Sequence, residues 1–320
     1  NKSIKKRKRG TQNSMKIKYG TRGSKLAVLQ TRQTVEILKK TLPEVEFEEH
    51  IIKTLGDKVT DMPLFKVGGQ GLFIKEIETE LLEKRIDIAV HSLKDMPHEM
   101  SEGLCLLAVG LEEDPRDCLI SIKYSTYKEI PAGAVIGTSS LRRRAQLALL
   151  REDLIFSDYR GNLDTRLKKL EDGEADAIVI AAAGLKRLQS ENKVREYFSI
   201  NEVIPPAGQG LLAIQCRTDD KERFFPLIKD FASESAMIRT RAEREFLRIL
   251  QGGCKTPMAA HAQVTGDKII LQTFFADDSG KNTIKNIHTG AVEKPEELGE
   301  EAAREILAAK EILCTNRMSF

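Results

Sequence analysis

The chain repeats one pattern of elements, and that repeat limits its fold more than any other feature. Near the start, a short strand at Lys16–Tyr19 runs into Gly20-Thr21-Arg22-Gly23-Ser24 and then a helix with Leu26, Leu29, Val35 and Leu38 among its apolar positions. Farther on, a strand at Ala134–Ile136 runs into Gly137-Thr138-Ser139-Ser140 and a helix with Leu141, Ala145 and Ala148 on one face. In each half a later helix ends in Leu-Glu and hands over to an aspartate-led strand, Asp87-Ile88-Ala89-Val90 or Asp176-Ala177-Ile178-Val179. Strands alternating with helices fold as a parallel sheet covered by helices. A repeated unit of this kind predicts two similar domains. The expected class is α/β: two similar doubly wound domains facing across a cleft, with a small α+β domain after them.

The elements between support that division. Val45–Leu55 alternates as a second strand, and Ile74, Ile77, Leu81 and Leu82 mark one apolar helix face. Leu104–Leu111 is apolar, and Glu112 to Asp117 reads as a change of direction. Leu154–Ser157 is a strand, followed by a helix with Leu163, Leu167 and Leu170. Pro205-Pro206-Ala207-Gly208-Gln209-Gly210 is a stiff, then flexible linker. The strand Leu211–Cys216 after it crosses back into the first domain, giving two hinge segments. An amphipathic helix over Ser235–Leu250 is broken by Gly252-Gly253-Cys254-Lys255-Thr256-Pro257. Three alternating segments (His261–Val264, Ile269–Phe275 and Thr283–Thr289) then predict a three-stranded antiparallel sheet, closed by a helix over Pro295–Leu313. The expected domains are 15–110 with 211–228, then 116–204, then 233–320. The loop over 56–71 lacks the phosphate-binding G-x-x-x-x-G-K-[ST] pattern. It reads equally as a flap or as a connector.

Charge and cysteine usage exclude several classes. The formal net charge is +3, but Lys2, Lys5, Lys6, Arg7, Lys8 and Arg9 crowd into residues 1–14 without an acid, leaving the rest three negative. A nucleic-acid binder would carry its positive excess on the folded body. Residues 1–14 instead read as a disordered basic tail with no apolar signal-peptide core, and Met15 would make a natural start for the folded part. No apolar run approaches the length of a membrane span. Five cysteines, an odd count without C-x-x-C, argue against a disulfide framework and a zinc site, and for a reducing compartment. Cys105, Cys118 and Cys216 read as buried and inert. Cys254, between glycine and a Lys-Thr-Pro turn, reads as an accessible thiol whose thiolate Lys255 would favour.

The chemistry gathers at strand ends and helix starts. In an open α/β sheet, ligands bind beyond the carboxyl ends of the strands. His91-Ser92-Leu93-Lys94-Asp95-Met96-Pro97 follows such a strand, and Lys94 beside Asp95 is a candidate acid/base pair; a surface salt bridge is the plain alternative. Arg142, Arg143 and Arg144 occupy the first turn of a helix, where cations oppose the macrodipole. Thr138, Ser139 and Ser140 ahead of them form an anion cradle, and Thr21, Arg22 and Ser24 repeat the device. Arg160 and Arg166 flank a third helix start, and Arg187 follows the Asp176 strand. Guanidinium forks suit carboxylates, so this many arginines around one cleft point to a ligand with many carboxylates.

These stretches resemble the hydroxymethylbilane synthase, or porphobilinogen deaminase, family. The matching segments are Lys66 to Phe73, His91 to Pro97, Glu113 to Asp117, Gly137 to Arg143, Arg160-Gly161-Asn162, Gly184 to Leu188, Gly208-Gln209-Gly210 and Gly252-Gly253-Cys254, in the family's order from about Met15 onward. The resemblance implies a periplasmic-binding-protein-like pair of domains and a dipyrromethane cofactor held through a thioether on Cys254. It implies stepwise condensation of four porphobilinogen molecules into a linear tetrapyrrole with loss of ammonia. It implies Asp95 as the catalytic carboxylate. Lys94, Thr138, Ser139, Ser140, Arg142, Arg143, Arg160 and Gln209 would hold the cofactor, and Arg22, Ser24, Phe73, Arg166 and Arg187 the substrate. It implies no metal, no nucleic-acid or membrane partner, and a monomer in the cytoplasm, or in a plastid if the source is a photosynthetic eukaryote. Gln70 stands where many members have Lys, and Gly23 where some have Gln. The rival readings are a non-enzymatic two-domain anion-binding protein and a cysteine hydrolase; the first has no use for Cys254, and the second needs a base beside it.

Overall fold

A computed structural model describes residues 15–54, 74–251, 256–277, 279–280 and 282–317, the stretch 311–317 as helix backbone. The tail, the loop over 56–71 with Gln70, Phe73, and Gly252 to Lys255 with Cys254 lie outside the described residues.

The first half runs β1 (Lys16–Arg22), α1 (Lys25–Thr41), β2 (Glu46–Ile52), α2 (Lys75–Leu82), β3 (Ile88–Ser92) and β4 (Leu104–Gly110). The second runs β5 (Asp117–Ile120), β6 (Val135–Gly137), α3 (Leu141–Leu150), β7 (Ile155–Ser157), α4 (Leu163–Glu171), β8 (Ala177–Ala181), α5 (Ala182–Arg187) and β9 (Glu196–Tyr197). Then come β10 (Leu212–Arg217), α6 (Lys221–Ile228), α7 (Glu234–Ile249), β11 (Met258–Thr265), β12 (Lys268–Ala276), β13 (Thr283–Ala291) and α8 (Pro295–Arg317).

The sheet orders are β2-β1-β3-β10-β4 and β7-β6-β8-β5-β9, with a separate β11-β12-β13. In the first sheet β2, β1 and β3 are parallel and β10 is antiparallel to β3; in the second β7, β6 and β8 are parallel and β5 is antiparallel to β8. The architecture is therefore mixed α/β in two similar sheet-helix domains with a small antiparallel C-terminal sheet. Each antiparallel fourth strand is the one that follows a crossing between the halves. The aspartates of the repeat also share a role: Asp87 Oδ2 accepts from Lys18 N–H at 2.8 Å, and Asp176 Oδ2 from Val135 N–H at 3.0 Å, tying β3 to its parallel neighbour β1 and β8 to its parallel neighbour β6.

Local chemistry accounts for most elements. Ser24 caps α1 by accepting from Ala27 N–H, Ser140 caps α3 from Arg143 N–H, and Asn162 caps α4 from Thr165 N–H. The first core joins Ile17, Tyr19, Ile88, Val90, Leu212 and Ile214 of the sheet to Val35 and Leu38 of α1 and Phe224 and Ile228 of α6. The third domain packs Phe246 of α7 and Leu298, Ala302 and Ile306 of α8 on Met258, Ala260 and Leu271.

Four elements were hidden in the sequence, the short β9 among them. β5 lies behind the turn-like Glu113-Asp114-Pro115, and its leading Asp117 disguises a strand that is buried throughout. Ala182 to Gly184 begins a helix instead of finishing a strand. α6 forms despite Pro226 inside it. Cys105 also departs from expectation: it is only partly buried, and its Sγ lies 3.7 Å from that of Cys216 on the neighbouring strand.

Candidate active site

The chain leaves β3 at Ser92 and turns at once through the 3-10 turn Leu93–Asp95. Leu93 N–H donates to the Leu211 carbonyl, and Met96 N–H closes the turn on Leu93. Buried Leu93 and Met96 anchor it, and Lys94 and Asp95 between them line the cleft. Around Asp95 a hollow of about 460 Å³ is lined by Arg22, Ser24, Gln30, His91 and Ser92 over Leu26, Ala27, Ile74 and Val90. Ser92 Oγ donates to Gln30 Oε1 at 3.0 Å. His91 is buried against Gln215 Oε1 at 3.0 Å, and burial pushes its pKa down to about 4, so it stands neutral as a structural residue.

The other wall is organised by Asp117, a residue the sequence reading left in a turn. Its carboxylate is fully enclosed and accepts from Arg142 Nη2 at 2.6 Å and Arg143 Nη2 at 2.8 Å. Gln209 Nε2 donates to it at 3.0 Å, while Gln209 Oε1 accepts from Lys94 Nζ at 3.2 Å. One linker residue thus joins the Lys94 turn to the arginine pair across the cleft. Burial opposes ionisation of Asp117, but the two guanidiniums outweigh it and hold the carboxyl well below its usual range. Arg142 Nη1 also donates to the Ile204 carbonyl and Arg143 Nη1 to that of Val179. Arg143 Nε is buried with no hydrogen-bond partner.

The cradle hydroxyls are largely engaged within the protein. Thr138 Oγ1 accepts from Ser140 N–H at 3.3 Å, Ser139 Oγ from Tyr159 N–H at 2.9 Å, and Ser140 Oγ is the cap of α3. Arg166 Nε donates to the Gly161 carbonyl, and burial, with Arg143 and Arg160 nearby, lowers its pKa to about 10. Arg187 Nη2 donates to the carbonyls of Leu111 and Gly210, 2.8 Å each, so it ties the two crossover segments together. Those segments touch: Glu113 N–H donates to Gly210 O, and a side chain on Gly210, whose φ is +91°, would meet the Glu113 carbonyl at 2.3 Å.

Burial lowers the Lys94 pKa to about 8, opposed first by Asp95 and reinforced by Arg143 and Arg142. Lys94, Arg142, Arg143, Arg160 and Arg166 therefore feel one another's charge, and Asp95 and Asp117 are the carboxylates that offset it at Lys94. This surplus, with the orphaned Arg143 Nε, fits a ligand bearing several carboxylates. The structure brings together the predicted Arg22, Ser24, Lys94, Asp95, Arg142, Arg143, Arg160, Arg166 and Gln209. Asp117 and Gln30 were missed; the available signal for Asp117 was that two adjacent arginines on a core-facing helix need a buried counter-ion.

Fold and site together define a two-lobed α/β protein whose cleft gathers cationic side chains around the Lys94-Asp95 turn. Two family models match: porphobilinogen deaminase, dipyromethane cofactor binding domain, over residues 17–224, and porphobilinogen deaminase, C-terminal domain, over 237–308. Porphobilinogen deaminase of Brevibacillus brevis is 46% identical over 294 residues, covering 92% of this chain and 94% of its own. That of Syntrophomonas wolfei is 41% identical over 303 residues, covering 94% and 99%. Among solved structures, lipoprotein Tp32 of Treponema pallidum reaches a TM-score of 0.45 at 12% identity, covering 71% of this chain and 94% of its own. The chain belongs to the porphobilinogen deaminase family. It is an enzyme of that type, a transferase of tetrapyrrole biosynthesis that works with a dipyrromethane cofactor. No helix among the described residues is long and apolar enough to cross a membrane.

Proposed function

We propose that Asp95 is the catalytic carboxylate for the stepwise condensation of four porphobilinogen molecules into hydroxymethylbilane. The observation that carries this reading is the Lys94-Asp95 turn at the end of β3, opposite the Asp117-Arg142-Arg143 group and joined to it through Gln209. The dipyrromethane, when bound, supplies the nucleophilic pyrrole carbon to which the first unit is added. Cys254 holds it covalently. Arg143, Arg160 and Arg166, with Lys94, neutralise its acetate and propionate groups, and Arg22 and Ser24 take those of the incoming substrate in the hollow beside Asp95.

Loss of ammonia from an aminomethylpyrrole requires a proton on the leaving nitrogen and leaves a cationic ring. Asp95 donates that proton and then faces the cation as a carboxylate, so one group serves as acid and counter-ion. Asp117 acts as positioning residue for Arg142 and Arg143, holding both guanidiniums in the wall before any ligand arrives. The bacterial relatives suit a cytoplasmic setting.

The test is single-turnover chain elongation on cofactor-loaded enzyme. Asp95→Asn keeps shape and folding but is expected to slow elongation by roughly a hundred- to ten-thousand-fold, with Asp95→Glu retaining more. Elongation by Asp95→Asn near the wild-type rate would leave Asp95 a structural ion-pair partner.

A further inference from the structure

A second cluster of chemistry-bearing side chains lies on the C-terminal domain, away from the cleft. His288, on β13, is 8% exposed, and its Nε2 is buried without a hydrogen-bond partner. It is aimed at α8: Nε2 lies 3.7 Å from Glu305 Oε2, and one ligand atom each from His288, Glu301 and Glu305 fall within 4.8 Å of one another. Glu301 and Glu305 stand four residues apart, so their carboxylates project from one face of the helix. Asn286, two residues before His288 on the same face of the strand, donates Nδ2–H to Glu305 Oε2 at 3.1 Å, the oxygen that faces His288, and steadies that carboxylate.

A separation of 3.7 Å is too long for a hydrogen bond. It is close to the spacing of two atoms that each sit about 2.0–2.2 Å from a shared ion. A buried, unsatisfied imidazole nitrogen is costly to the fold, and a metal would satisfy it where a hydrogen-bond donor or acceptor does not. We propose that His288, Glu301 and Glu305 bind a divalent transition-metal ion of the zinc class. One neutral imidazole and two carboxylates balance the charge of such an ion and leave positions for water. The glutamates are exposed and meet the ion from solvent, and the buried histidine then closes the site. Bound there, the metal ties the edge strand β13 to α8 and does not touch the catalytic cleft.

The experiment is titration of the full-length, tag-free holoenzyme with Co²⁺ and then Zn²⁺ after treatment with a chelator. The wild type should take up one Co²⁺ with visible ligand-field bands, lose them to Zn²⁺, and unfold at higher temperature with Zn²⁺ present. A strong thiolate-to-cobalt charge-transfer band would place the ion on cysteine and overturn the assignment. The Glu301→Gln/Glu305→Gln double variant alters only exposed side chains. It should fold and turn over normally yet bind at least about tenfold more weakly, on the scale of losses seen when metal-site residues are removed. His288→Asn should weaken binding likewise. No saturable binding by the wild type, or unchanged affinity in the double variant, would also overturn the site.

Discussion

At the scale of single residues, the site is an arrangement of charges whose neighbours decide what each can do. Asp117 is the clearest case. Two guanidiniums and the Gln209 amide converge on it in a fully buried position. Removing one partner of a buried pair costs roughly 3–5 kcal/mol, because the other charges are left uncompensated. Asp117→Asn should therefore lower stability by that order in denaturant unfolding. Its pKa also sets a pH signature. The folded value lies below the ordinary 3.8, so the contribution is complete above that value and is lost as pH falls through the folded one. Wild-type stability should fall as pH drops below about 4, and the Asn variant should show a shallower fall; parallel curves would show that Asp117 does not contribute to it. Cys254 offers a separate check. Intact mass should show a two-pyrrole adduct on the wild type and none on Cys254→Ser, and equal occupancy in both would remove the thioether assignment.

Among elements, the linker between the halves is held by a side chain from the third domain. Glu243 of α7 is buried and accepts from Gly208 N–H and Ala262 N–H, 2.8 Å each, joining the linker to β11. Burial raises its pKa. Glu243→Gln keeps the shape but offers one acceptor oxygen where two are used, so one backbone donor loses its partner. The expected loss is about 1–3 kcal/mol, read as a lower urea midpoint with an unchanged slope. An unchanged midpoint would mean that the linker is held by other contacts. The same linker carries Gln209 into the cleft, so a small shift in its backbone would move both Lys94 and the Asp117 group.

For the whole molecule, the consequence of two facing lobes is a cleft in which cations crowd together, Arg142 and Arg143 among the charges that act on Lys94. In the ligand-free protein the Lys94 pKa is lowered to about 8. A lysine so depressed opposes folding while charged, and this opposition is relieved as pH rises from about 8 toward its ordinary 10.5. A carboxylate ligand reverses the shift by favouring the charged form. Polycarboxylate binding should therefore weaken as pH rises above about 8 and should take up a proton there. Calorimetry at one alkaline pH, in two buffers of different ionisation enthalpy, checks this. Equal heats in both buffers, or the same proton uptake in Lys94→Met, would show that Lys94 does not meet the ligand.

What the sequence determined by itself was whatever rests on local chemistry and short-range pattern. The repeat was legible because Gly-Thr turns, Ser24 and Ser140 at helix starts, and the Asp87 and Asp176 strands act within a few residues of themselves. The Lys94-Asp95 turn was legible for the same reason, since both residues follow an apolar strand that Pro97 soon stops. The family was legible because many short motifs recur in order. Tertiary structure alone decided the roles that depend on distant partners. Asp117 looked like part of a turn until Arg142, Arg143 and Gln209, which lie 25, 26 and 92 residues away, were brought to it. Arg187 gave no sign in the sequence that its Nη2 would also tie the two crossover carbonyls together. His288 looked like an ordinary strand residue until α8 laid Glu301 and Glu305 beside it. A charge declares its type in the sequence, but its partner is chosen by how the chain packs, because burial removes water and leaves only the neighbours to balance it.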